Sequence, residues 1–191
     1  MRHEQEEQAL ETKLWNIDTT HSGIHFSVRH MVFAKVRGRL GAFRGTVEFD
    51  PGAPTRGTVE VEIDAASIDT GVVDRDNHLR SPDFLDVEAF PQLRFESTRV
   101  EKAGGDRYRI HGNLTIRDTT REVVLDAEYG GQAKDPWGNQ RVAVSATTSI
   151  DRRDFGLEWN QVLETGGLLV GERIDIELEV QAVQAAASQA A

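Results

Sequence analysis

The chain of 191 residues carries 22 Lys and Arg against 32 Asp and Glu, a formal charge of −10, with 38% hydrophobic residues and no cysteine. That length and composition describe one globular domain, and the missing cysteine excludes disulfide frameworks, thiolate metal sites and thiol catalysis. An acidic chain without a Lys- or Arg-rich run argues against nucleic acid as a partner.

Residues 1–12 are charged, with Glu4, Glu6, Glu7 and Glu11 where a secretory leader needs an apolar run. They read as a flexible or helical extension, and with no stretch of membrane-spanning length the chain is expected in the cytoplasm. From Lys13 onward the hydrophobic period is two, the signature of strands with one dry face. Ile24, Phe26 and Val28 share one face, then Phe43, Val47 and Phe49 another, and Thr58–Asp64 alternates throughout. Leu93 and Phe95 follow, then Tyr108, Ile110, Leu114 and Ile116, then Val123, Leu125, Ala127 and Tyr129. Val142, Val144, Ala146 and Ile150 form the next dry face, and Arg173–Val180 alternates again.

Turn residues at Asp50–Pro54, Ala103–Asp106, Gly130–Gly131 and Asp135–Asn139 separate these runs. The count is about eight strands, antiparallel because the links are too short for crossovers. So many amphipathic strands in one small domain must close on themselves or stack as a sandwich, and an all-β closed barrel is the expectation. Residues 72–90 break the alternation, with Pro82 in the middle; a short helix before it, a further helical turn after it and a loop are expected to cap one end. Residues 184–191 offer no core face and read as a disordered tail, leaving 13–183 as the domain.

The six histidines form no zincin motif, and His25 and His30 project from opposite faces. His30 shares the parity of Ile24, Phe26 and Val28 and points inward, either as a hydrogen-bonded interior histidine or as a polar contact near a rim. His78 stands among Asp74, Arg75 and Asp76, but the spacing fails an EF-hand and fits acids at a helix N-terminus. No nucleophile elbow or phosphate cradle occurs, so the residues nominate no catalytic group, metal or cofactor. Gly38, Gly41, Gly45 and Gly112 inside strands mark bends or leave room for something to approach. A barrel of eight strands either packs solid or holds one slim ligand, and periodicity leaves both open.

Several strings narrow the choice. Trp15–Phe43, Arg75–Val87 with Phe90-Pro91, Phe95-Glu96-Ser97-Thr98, Gly112–Ile116, Arg152–Leu157 and Val170-Gly171-Glu172 resemble, in order, the YceI-like family of lipocalin-like, polyisoprenoid-binding bacterial proteins. The resemblance covers about residues 14–183. It implies an eight-stranded antiparallel lipocalin-like barrel that carries or sequesters a long isoprenoid, quinone or prenyl phosphate, and no enzymatic activity. Asp118-Thr119 departs from the family's usual turn.

On this reading Ile24, Phe26, Val28, Phe43, Val47 and Phe49 line the tube, joined by Leu93, Phe95, Tyr108, Ile110 and Leu125. Leu79, Phe84, Leu85, Phe155 and Trp159 close it, and His30, Arg75 and His78 meet a polar head group. An enzyme on an isoprenoid-like substrate and a solid-core interaction module are the alternatives, and a homodimer through an edge or end face fits the barrel.

Overall fold

A computed structural model describes residues 12–186. The expected extension over 1–12 and the tail over 184–191 therefore fall largely outside the described residues. Eleven strands make one sheet: β1 (Lys13–Ile17), β2 (Gly23–His30), β3 (Ala34–Leu40), β4 (Phe43–Phe49), β5 (Thr58–Asp64), β6 (Ile68–Asp69), β7 (Gln92–Gly104), β8 (Arg107–Ile116), β9 (Thr119–Lys134), β10 (Gln140–Asp151) and β11 (Val170–Gln184), with one helix, α1 (Val73–Arg80).

The eleven segments lie along eight lines. β11 pairs antiparallel with β2 and, further along, with β1, so β1 and β2 form one long strand broken at residues 18–22. β3 and β4 face that broken strand in the same order, as β6 and β5 face β3 and β4. These three broken strands and β7 to β11 close an eight-stranded, up-and-down antiparallel barrel through the β1–β11 pairing. The eight runs of the sequence are these eight lines; the breaks fall at turn residues such as Asp18, Gly41 and the short 3₁₀ turn Ala65–Ser67.

Three details differ from the sequence expectation. Gly130–Gly131 does not turn the chain: it lies inside β9, where the register with β10 shifts at Ala143/Val144 and Gly131 takes φ 99°. Glycine there makes a bulge that coils a 16-residue strand around the barrel. The helix of the 72–90 excursion is α1 alone; after Pro82 the chain makes hydrogen-bonded turns, with Ser81 O accepting from Phe84 and Asp86 N–H. Finally, β11 includes Gln184, and Ala185 N–H still donates to Leu14 O at 2.8 Å.

The connections alternate between two ends. The lower end carries the chain's entry at Lys13 and the links 50–57, 105–106 and 135–139. The upper end carries 31–33, the α1 excursion, 117–118 and the long 152–169 link. Trp15 seals the lower end: it is 1% exposed, its ring lies 5.5 Å from Phe49, and its Nε1–H donates to the Phe49 carbonyl at 3.2 Å. Beside it Arg141 bridges Asp18 at 2.6 Å and Asp135 at 2.9 Å, tying the β1–β2 break to the start of β10 across β11.

Two outcomes follow for stability. Trp15→Ala leaves a cavity and an orphaned carbonyl, and is expected to lose about 3–5 kcal/mol in denaturant unfolding. Hydrogen bonds from Arg141, Thr20 and His21 hold the Asp18 carboxyl far below its ordinary value, and those from Asn139 and Arg141 do the same for Asp135. A carboxyl depressed in the folded state adds stability above its unfolded pKa of 3.8 that is lost as pH falls toward the folded value. Stability should therefore drop between about pH 5 and about pH 2, and Asp18→Asn should flatten that acid limb in pH-resolved unfolding curves.

Candidate functional site

Inside the ring the dry faces of the strands do not meet. They surround two apolar chambers, a lower one of about 240 Å³ and an upper one of about 450 Å³. Ile24, Leu40, Leu93, Ile116 and Ile176 wall both, forming a collar where the chambers adjoin along the barrel axis. The pair falls within the roughly 300–1,000 Å³ typical of small-molecule sites.

The hollow has a local cause. Gly38 of β3 and Gly112 of β8 stand at inward positions, and a large ring rests on each. A Cβ at Gly38 would sit 2.4 Å from Phe26 Cζ, and one at Gly112 would sit 2.4 Å from Phe95 Cζ. With no side chain beneath them, both rings lie against the wall instead of projecting across the lumen.

The two chambers differ in polarity. Of the expected lining residues, Phe43, Val47, Phe49, Phe95, Tyr108, Ile110 and Leu125 wall the lower chamber, whose lining contains no Lys, Arg, His, Asp or Glu. Phe26, Val28, His30, Arg75 and His78 wall the upper one, with Leu79, Phe84, Leu85 and Trp159 from the cap. Ile24 and Leu93 belong to both. Phe155 is the exception among the expected closing residues: it is 2% exposed, packs into the core and lines neither chamber. Its place follows from the 3₁₀ turn Arg152–Phe155, which sets that ring into the core.

Two segments build the upper end. Asp76, 6% exposed, accepts the backbone N–H of Thr70 at 2.9 Å and its hydroxyl at 2.5 Å, while Arg75 Nε donates to the same hydroxyl at 2.7 Å. This network docks the first turn of α1 on the end of β6. The helix then presents His78 edge-on to Trp159 at 4.5 Å and to Phe84 at 5.1 Å, with its Nε2 2.8 Å from Asp83 Oδ2. His78 is thus part of an aromatic lid, carried on the last turn of α1.

Trp159 is held by a residue that the sequence reading did not single out. Arg152 is 3% exposed and donates to the carbonyls of Gly171 at 2.9 Å, Trp159 at 2.9 Å, Val170 at 3.3 Å and Leu157. Burial pushes its pKa down, with Glu172 and Asp151 opposing, yet a guanidinium stays charged and its five donors suit an array of carbonyls. The signal lay in the Arg152–Leu157 string, where an arginine reads as surface until its partners are known. Ile174, Ile176 and Leu178 of β11 were likewise visible as alternation, but nothing in the sequence ranked them as cavity wall.

At the mouth the 31–33 turn leaves Met31, Val32 and Phe33 exposed, Phe33 by 90%. Met31 and Val32 take left-handed φ of 51° and 68°, which a β-branched residue rarely adopts. Met31 N–H to Leu169 O at 2.9 Å fastens this turn to the 152–169 link. Among the described residues no cluster of His, Asp and Glu is arranged to hold a metal ion, and no helix is long and apolar enough to cross a membrane.

These features define a lipocalin-like barrel with a two-chambered apolar interior and a polar, capped upper end. The chain belongs to the YceI-like family, whose domain it matches over residues 15–182. A UPF0312 protein of Vibrio cholerae is 35% identical over 170 residues, covering 88% of this chain and 86% of that protein. The Campylobacter jejuni YceI protein superposes with a TM-score of 0.68 at 27% identity, over 83% of this chain and 90% of the other. A polyisoprenoid binding domain from Saccharophagus degradans shares the fold, with a TM-score of 0.66 at 13% identity over 90% and 98% of the two chains.

Arg152→Met keeps the volume but leaves the carbonyls of Leu157, Trp159 and Gly171 without their donor. The expected result is a loss of at least about 2 kcal/mol and faster amide exchange over 156–171, with β8 and β9 still protected, read by hydrogen-exchange mass spectrometry.

Proposed function

We propose that this protein binds and carries or sequesters a long lipophile in its barrel, without chemical turnover. A polyisoprenoid, an isoprenoid quinone and a prenyl phosphate are the candidate ligands. The observation that carries this reading is the lengthwise apolar interior, with its charged side chains gathered at one end. A flexible chain enters such a preformed tube without reorganising the wall, which keeps the ordering cost down. At about 0.8 kcal/mol per buried methylene, a chain of some twenty carbons gains on the order of 15 kcal/mol before that cost. The S. degradans neighbour, a polyisoprenoid binding domain on the same fold, points the same way.

A non-catalytic role is supported by what the polar groups at the upper end already do. Arg75 is bonded to Thr70, His78 lies against Asp83, and Arg152 holds the cap. These three side chains are engaged with the protein's own backbone and neighbours, as in a lid.

Protein purified from a quinone-producing host is expected to retain a lipophile in native mass spectrometry, and delipidated protein to take up a prenyl lipid at one per barrel. Leu40→Trp, which fills the collar, should sharply reduce that uptake; overpacking there is expected to cost about 1–3 kcal/mol of stability. Protein that is repeatedly recovered lipid-free and refuses added prenyl lipids would remove this function.

A further inference from the structure

Nine large hydrophobic side chains stand exposed among the described residues, and seven of them are on upper-end connections. Met31, Val32 and the nearly fully exposed Phe33 tip the 31–33 turn. Val162 and Leu168 face solvent on the long 152–169 link, and Val72 and Val73 open the α1 excursion. Leu14 and Trp137 are the two at the lower end. Exposed apolar residues scattered singly need no explanation, whereas a group gathered at one place marks a contact surface.

This group is gathered. Met31 N–H donates to Leu169 O at 2.9 Å, and Val32 Cγ2 lies 4.0 Å from where a Cβ on Gly167 would stand. Residues 161–169 form a small hairpin, with Val162 bridged to Leu168 and Leu163 N–H bonded to Gly167 O at 3.1 Å. The two tips therefore stand side by side. Each exposed segment also adjoins the cavity wall in the chain: His30 precedes Met31, Leu169 follows Leu168 and Asp74 follows Val73, and His30, Leu169 and Asp74 all line the upper chamber. The exposed set thus rims that chamber.

Position and shape choose the occupant. On the lipophile reading, whatever enters the upper chamber leaves a lipid phase and crosses this rim to do so. A nearly fully exposed side chain at a turn tip projects from the molecule; it enters a fluid layer freely, whereas a protein partner needs a pocket shaped to receive it. The hairpin backbone is bonded within itself, Gly166 N–H to Leu163 O at 3.0 Å and Leu169 N–H to Gln161 O at 2.9 Å, so these groups carry no unpaired donor into an apolar boundary. The charges beside the tips are mixed, with Glu164 at the hairpin turn and Arg29 and Lys35 flanking the 31–33 turn. On a chain of formal charge −10, attraction to anionic head groups does not drive the contact.

We propose that the 31–33 turn and the 161–169 hairpin dock the mouth of the barrel on a phospholipid surface, with Val32, Phe33 and Val162 entering the boundary between head groups and acyl chains. This rests on the lipophile-binding reading and adds the place where the ligand is exchanged. Contact by apolar insertion works on neutral phosphatidylcholine, without anionic lipid.

The test is co-sedimentation of the full chain with sucrose-loaded phosphatidylcholine vesicles, comparing wild type, the double variant Phe33→Ser with Val162→Ser, and Trp137→Ser. The double variant is expected to bind at least about tenfold more weakly, through the loss of two inserted side chains. Trp137→Ser, which removes an exposed ring at the opposite end, should bind as wild type does. Neither Phe33 nor Val162 lines a chamber, so the double variant should take up geranylgeraniol from cyclodextrin solution as wild type does, and take it up more slowly from vesicles. Wild-type protein that stays in the supernatant, equal loss in both variants, binding only when phosphatidylglycerol is added, or loss of uptake from cyclodextrin in the double variant overturns the docking surface and leaves the lipophile reading in place. A wild-type dimer that ignores vesicles and that the double variant splits assigns the rim to a second copy, and overturns it equally. Geranylgeraniol refused by wild-type protein from both sources overturns the lipophile reading, and the exchange role of the rim with it.

Discussion

Phe26 rests on Gly38 and Phe95 on Gly112, each ring occupying the space where a side chain would start. An eight-stranded ring is narrow enough that its own large residues can fill it, and a pair of phenylalanines turned across the axis would do so. Placing glycine at the inward position beneath each ring turns them into wall. The empty length of the barrel, its collar and any capacity for a chain-like ligand depend on this arrangement.

A hollow core forgoes contacts that a packed one would make, and the ends supply closure in two different ways. The lower end is closed by dense packing of Trp15, Phe49, Val142 and Ala182, with Arg141 clamping the surface above it. The upper end is closed by a cap organised around polar atoms, with Arg152 buried among carbonyls and Asp76 buried against Thr70. Such networks hold a segment in one arrangement through directional bonds, and Leu85 and Leu157 join the capped end to the main core.

Alternation carried most of the fold in the sequence, because a period of two on eight successive runs leaves few ways to bury all the dry faces. It resolved the walls well: Phe43, Phe95 and Leu125 lie where parity placed them. It could not resolve features that depend on a neighbouring strand. Gly130–Gly131 reads as a turn from local chemistry and is a bulge because β10 continues alongside. Phe155 reads as a lid residue and is core because a 3₁₀ turn redirects it. Arg152 appears in the sequence only as part of a family-like string, because its partners are backbone carbonyls, which leave no mark on the sequence.

The topology explains why the adaptable parts share one end. In an up-and-down barrel successive connections alternate ends, so the four upper links, 31–33, the α1 excursion, 117–118 and 152–169, can lengthen independently of the three lower ones. Two of the four have lengthened, and they meet through His78 and Trp159 over the upper chamber. The lower links stay short, and the ring they close needs no lid. The polar side chains of the interior and the strained 31–33 turn thus gather at the upper end, and the lower chamber is left with an uncharged lining. On the proposed reading this fixes the order of events for a ligand: it passes the cap first, threads the collar, and ends in a chamber with no charge to offer.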